Sequence, residues 1–399
     1  MGSTFVRATQ AARFANSESL SEVESGAFAE RVQSILHGTP PKDVSTLFQQ
    51  ASELIMQLES DSRDNYVVAE MSLKPSRILR ASLDHAEQCN GQSALCYACA
   101  VVVACSSNMD VVELLVDLSK VWLSNFLFIF RASGVQAQAG QPSRPSSLIG
   151  PPPQGILEAM LEAADAGSPN RERTERLLKR DGYRCVVDGS MSYRHPDVIA
   201  NADVSCGPME AARIIPRAIG RVILEEQSAT HQSAVSTLSI LKNYCGIPAE
   251  MLNNMAGNIN GDDNGFILGV TVHRTFDKFN WTLVPVEGQN RYRVEYFGRN
   301  CHGLKVPWDE IATHIVEFKD DSNTGIDVPH RLYIRIHAAV ACMLHISGAG
   351  NFLNELLRKY GFDDDLTAIP RFENLLRRVE MQILSEICHH TMHMGIHSM

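Results

Sequence analysis

At 399 residues, of which 44% are apolar, the chain is long enough for one to three domains and can bury a sizeable core. Its 36 Lys and Arg stand against 46 Asp and Glu, a formal charge of −10, which disfavours bulk binding to a nucleic-acid backbone and leaves only a local basic patch for that role. No apolar leader occupies residues 1–14 and no apolar run of about 18 residues is uninterrupted, so the ten cysteines read as reduced thiols of an intracellular protein, cytoplasmic or nuclear, without a membrane span.

In chain order, residues 1–42 show no sustained pattern and are expected as a flexible or marginally helical segment. From position 45, Leu47, Phe48, Ala51, Leu54, Ile55 and Leu58 recur at helical spacing, and Asp43 or Ser45 is placed to cap the first turn. Val112, Leu115, Leu118, Trp122 and Phe126 mark a further helix, so residues 43–133 read as a helical N-terminal domain. Residues 134–169 are rich in Pro, Gly and Ser. Consecutive prolines at 151–153 cannot continue a helix, which predicts a linker with one short helix near 156–164. From 170 to 300 the texture changes. A charged helix over 171–180 precedes a β-like run at 183–187 and an apolar strand at 211–216. A helix over 234–244 is stopped by Gly246 and Pro248. A strand at 264–268 leads into a helix at 273–279, and 281–284 with 292–297 suggest a hairpin about Gly288. Residues 301–399 return to helix, over 332–346, 352–360 and 372–387, and end in a His-rich tail. The fold class expected is α+β, mainly helical, with a small two-strand, one-helix finger at 170–300.

The ordered set Arg180-Asp181-Gly182-Tyr183-Arg184-Cys185-Val186-Val187-Asp188-Gly189, then Ala212-Arg213-Ile214-Ile215-Pro216, then Asn264-Gly265-Phe266-Ile267-Leu268, then His273-Arg274-Thr275-Phe276-Asp277, resembles the fungal HNH nuclease domain family. With the stretch from His337 to Gly350 it covers about 170–360. The resemblance implies a ββα-metal (His-Me) finger holding one divalent ion beside a general base. The base takes a proton from the attacking water, and the ion stabilises charge on the scissile phosphate. Carried over by position, the catalytic set is Arg213, Asn264 and His273. Asn264 would orient the finger, and His273 with Glu210 would hold Mg, Mn or Zn, or the site would take no cofactor. The sequence departs from the family at Arg213, where the base should be. A guanidinium has five donors and no acceptor, so it binds a phosphate or carboxylate but cannot take a proton. Glu210 and His195 are substitute bases to consider. Glu210 lies three positions before Arg213 and on the opposite strand face unless the strand bulges.

Other patterns weigh less. Cys96 and Cys99 have metal-like spacing, but in an apolar helix they read as buried thiols, and Cys185 with Cys206 lack the second pair of a structural zinc. His389, His393 and His397, with His390, could share a helical face that binds metal, though a solvated tail is the simpler reading. Arg171, Arg173, Arg176, Lys179, Arg180 and Arg184 could meet phosphates, but interleaved Glu172, Glu175 and Asp181 suggest a solvated face with i,i+4 pairs.

Three function classes follow. One is an HNH endonuclease acting on nucleic-acid phosphodiesters. Another is a repurposed, non-nucleolytic small-molecule enzyme, such as a cyclase or isomerase of secondary metabolism, whose site takes an apolar or anionic molecule. The third is a catalytically dead binding or regulatory module. Arg213 and the acidic charge favour the non-nucleolytic readings.

Overall fold

The computed structural model describes residues 22–38, 43–132, 169–200, 206–228, 233–297, 314–360, 372–382 and 385. The expected linker at 134–168 and the tail histidines His389, His390, His393 and His397 lie outside the described residues. The described chain is mainly helical with small sheets, an α+β protein. It divides into two compact units, each assembled from segments distant in sequence.

The first unit combines residues 1–133, 218–253 and 342–399. Its amphipathic helices include Gly26–His37, Val44–Glu59, Pro75–Asp84, Ala86–Ala104 and Val111–Trp122. Leu47, Ala51, Ile55 and Leu58 face the core as their spacing predicts, and Asp43 sits at the N-cap without a side-chain cap bond. The segment 86–107 is long and apolar enough by composition to cross a membrane. It is broken at Asn90 and Gly91, and mostly buried in this unit, as a core helix would be. Two helical stretches widen into π-helix, Leu123–Phe128 and Ile240–Tyr244. Between them Trp122 and Tyr244 meet edge to face at 5.0 Å, and Tyr244 donates to the carbonyl of Ser82 at 2.9 Å. The helix expected over 234–244 starts at Thr237, because Ser236 caps it and Glu226 accepts the N–H groups of Thr237 and Leu238.

The second unit holds residues 134–217 and 254–341. Helix α1 (Pro169–Arg180) lies beside strands β1 (Met209–Arg213) and β2 (Gly265–Gly269), burying Leu177, Leu178 and Ile267 together. The strands are antiparallel and in unbroken register from Met209↔Gly269 to Arg213↔Gly265. Gly269 ends β2 and begins helix α2 (Val270–Asp277) directly, so two strands and a helix form a contiguous finger. Strands β3 (Trp281–Pro285) and β4 (Arg291–Tyr296) make the expected hairpin, and β5 (Ile315–Glu317) adds a third strand. Helix α3 (Arg331–Ile346) follows. The β-like run at 183–187 forms no strand. Gly182 and Tyr183 both take left-handed φ (61° and 56°), the chain turns, and only a single bridge from Arg184 to Met191 remains.

Candidate functional site

The site is organised by the loop that enters β2. Two buried arginines of α1 donate to its backbone. Arg173 reaches the carbonyls of Gly261 (3.2 Å) and Asn264 (3.0 Å), and Arg180 those of Asp262 and Gly265 (both 2.8 Å). Asp181 holds the Arg180 fork at 2.7 and 3.1 Å and accepts the N–H of Ile267. The expected basic face of α1 is therefore corrected. Arg171 and Lys179 are exposed, but Arg173, Arg176 and Arg180 reach across to the 261–265 loop, Arg176 gripping Asp262 in a two-pronged bond at 2.7 and 3.1 Å. Asn264, fully buried, accepts from the Ile215 N–H at 2.8 Å. It donates to the carbonyls of Ile215 (3.0 Å) and Ile259 (2.9 Å). This amide ties the loop to the residues that follow β1.

Arg213 ends β1 opposite Gly265 and donates to the side chain of Asn260 at 3.3 Å. No bulge interrupts β1, so Glu210 and Arg213 lie on opposite faces of the strand. Glu210 turns instead to α2, where it meets His273 Nδ1 at 2.7 Å. His273 Nε2 lies 3.4 Å from Asp277, one helical turn on. Burial alone would lower the His273 pKa. The charge and hydrogen bond of Asp277, with the Glu210 contact, outweigh that and raise it to about 10. His273 is thus an imidazolium clasped by two carboxylates. The pairing of Glu210 with His273 joins two residues that the sequence had singled out. Asp277 enters the sequence reading only as the last residue of the His273 motif, and its i+4 spacing from His273 is the signal that places it here.

Residues 185–284 match the HNH endonuclease family model. The match spans a quarter of the chain and includes Arg213, Asn264 and His273. No curated protein and no solved structure matches the chain.

The family implies a divalent ion, and the HNH-like domain can be tested for it on its own donors. A metal needs a lone pair on the imidazole, and here Nδ1 of His273 meets Glu210 and Nε2 meets Asp277, so an ion would have to displace the proton and one of these contacts. Among the described residues, no group of three or more His, Cys, Asp or Glu is arranged to hold a metal ion. As they stand, Glu210 and His273 do not fit one. His195 uses its Nδ1 on its own loop, accepting the Asp197 N–H at 3.1 Å. A buried imidazole of the domain, His337 of α3, is stacked on Phe276 (4.0 Å) and Phe279 (4.6 Å) and bonded to Thr282 at 2.9 Å. Burial pushes its pKa down to about 3, only partly opposed by a bond to the Phe276 backbone, so it is neutral. It is a core residue that sequence reasoning passed over. Cys96 and Cys99 sit in the apolar helix 86–104, with burial raising the Cys99 thiol to about 12.

Proposed function

We propose that the HNH-like domain is a nuclease scaffold turned to a non-nucleolytic role, holding an anionic small molecule through Arg213. One observation carries this reading. At the position of the base stands a guanidinium, and the nearest histidine of the motif, His273, is a proton-bearing cation between Glu210 and Asp277. Neither group can take a proton from water near neutral pH. What supports the reading is the chemistry of the Arg213 guanidinium, a planar donor group of the kind that holds a carboxylate or phosphate, which here also donates to Asn260. The finer reading, a cyclase or isomerase of the kind secondary metabolism uses, requires Glu210 to leave His273 and accept a proton from the substrate. The formal charge of −10 favours a small anion over a nucleic-acid backbone.

The test is a plasmid-cleavage assay on the full chain with Mg²⁺ or Mn²⁺, run beside Arg213→His. The native protein is expected to leave the plasmid intact. Cleavage by Arg213→His alone would show that the scaffold kept everything but its base. Cleavage by the native protein, little changed by the substitution, would overturn the proposal.

A further inference from the structure

The loop from Gly261 to Gly265 presents an unusual row of backbone carbonyls. Those of Gly261, Asp262, Asn264 and Gly265 all accept from Arg173 or Arg180. Arg180 makes one more such bond, to the carbonyl of Asp327 at 2.8 Å. Both guanidinium groups are buried, 2% and 0% exposed. Arginines solvated on a helix face do not do this. Burying two cations is costly unless their charge is met, here by the carbonyls and, for Arg180, also by the Asp181 carboxylate.

A second observation comes from Gly265. Its φ of −179° is ordinary extended backbone, so conformation does not require glycine there. Space does. A Cβ on Gly265 would lie 2.2 Å from Arg173 Nη2 and 2.3 Å from the Ala212 carbonyl. The missing side chain is the opening through which the Arg173 fork reaches the loop. The residue is also the register partner of Arg213. From the loop the connection continues through Asn264. Its carbonyl accepts the N–H of Ile214 (3.3 Å) and its side-chain oxygen that of Ile215 (2.8 Å). These are the two residues that follow Arg213.

We propose that Arg173 and Arg180 are positioning residues for the Arg213 site: they clamp the 261–265 carbonyls, and Asn264, held by that clamp, sets the end of β1 that carries Arg213. Both arginines precede the residues matched by the HNH family model. A lysine in either place keeps the charge but loses the planar fork that spans two carbonyls. The functional weight of the clamp rests on Arg213 being the contact group for the anion. The clamp itself is tested by backbone protection, so it stands or fails separately from that reading.

The experiment is amide hydrogen exchange on the full chain, comparing the native protein with Arg173→Lys and Gly265→Ala. Arg180→Lys is a further variant, and should it fail to fold the other two still decide. Asn264→Ala calibrates the signal. The N–H groups of Ile214 and Ile215 are expected to exchange roughly fivefold faster or more in Arg173→Lys and Gly265→Ala, the scale of one ordinary hydrogen bond. Val294, in the hairpin of the same unit, should stay within about twofold of native. Native rates at Ile214 and Ile215 would overturn the clamp. So would an equal acceleration at Val294, which would make the arginines plain contributors to global stability.

Discussion

At position 213 a guanidinium, a group with five donors and no acceptor, occupies the end of β1 opposite Gly265. The chemical consequence of that residue is legible from its identity alone. Its partner Asn260 is not, because the contact depends on how the loop folds back. Asn264 shows the same division. Asn-Gly reads as a turn pair, yet its amide spans to Ile215 and Ile259 inside the fold. Asn264→Ala leaves those three backbone groups without their partner and should cost on the order of 2–4 kcal/mol in urea unfolding. The half-buried His273 and the buried His337 set opposite pH limbs. His337 binds a proton near 6.5 when unfolded but only near 3 when folded. Between those values the unfolded chain holds more protons, so stability falls as pH drops below about 6.5. His273 is raised to about 10, so its contribution is complete below about 6.5 and is lost as pH rises toward 10. Thermal melts across pH should give a maximum between the two limbs, and His337→Phe should flatten the acid limb. An unchanged acid limb would show that His337 is not its source.

Among the elements, those with a long apolar period were readable. The helices Val44–Glu59, Val111–Trp122 and Arg331–Ile346 and the β3–β4 hairpin follow the spacing of their buried residues. The sequence misleads where conformation is decided by neighbours. The run 183–187 has strand composition, but left-handed Gly182 and Tyr183 turn it, and β5 is too short to announce itself. The π-helical stretches have no periodic signature, since each depends on what is packed beside it. The interruption of helix Ala86–Ala104 at Asn90 and Gly91 faces another such constraint. Gly246, at φ 71°, approaches so closely that a Cβ there would lie 2.3 Å from the Asn90 amide. Gly246→Ala combines a disfavoured φ with that overlap and should destabilise the protein by about 1–3 kcal/mol, read as a lower Tm. A Tm equal to native would mean that the two segments move apart without cost.

At the scale of the molecule, unit membership cuts across sequence order. Residues 1–133 share a unit with 218–253 and 342–399, and bonds such as Tyr244 to Ser82 and Arg131 to Asn354 cross those gaps. A fragment ending at residue 133 should therefore lack a cooperative thermal transition, despite its helical sequence, because helices of this length are stabilised mainly by tertiary burial. A sharp transition in that fragment would contradict the interleaving. Treating the full chain with EDTA should shift Tm by no more than about 1 °C, since an imidazolium between two carboxylates contributes no metal-binding energy to folding. Sequence alone determined the helix-rich α+β class and the HNH-like motif order, because these depend on local period and on residue chemistry. Tertiary structure decided the rest. The protonated His273, the clasp of Glu210 and Asp277, and the use of Arg173 and Arg180 inside the fold arise from charges brought close after the chain closes on itself, and no spacing along one strand or helix encodes that proximity.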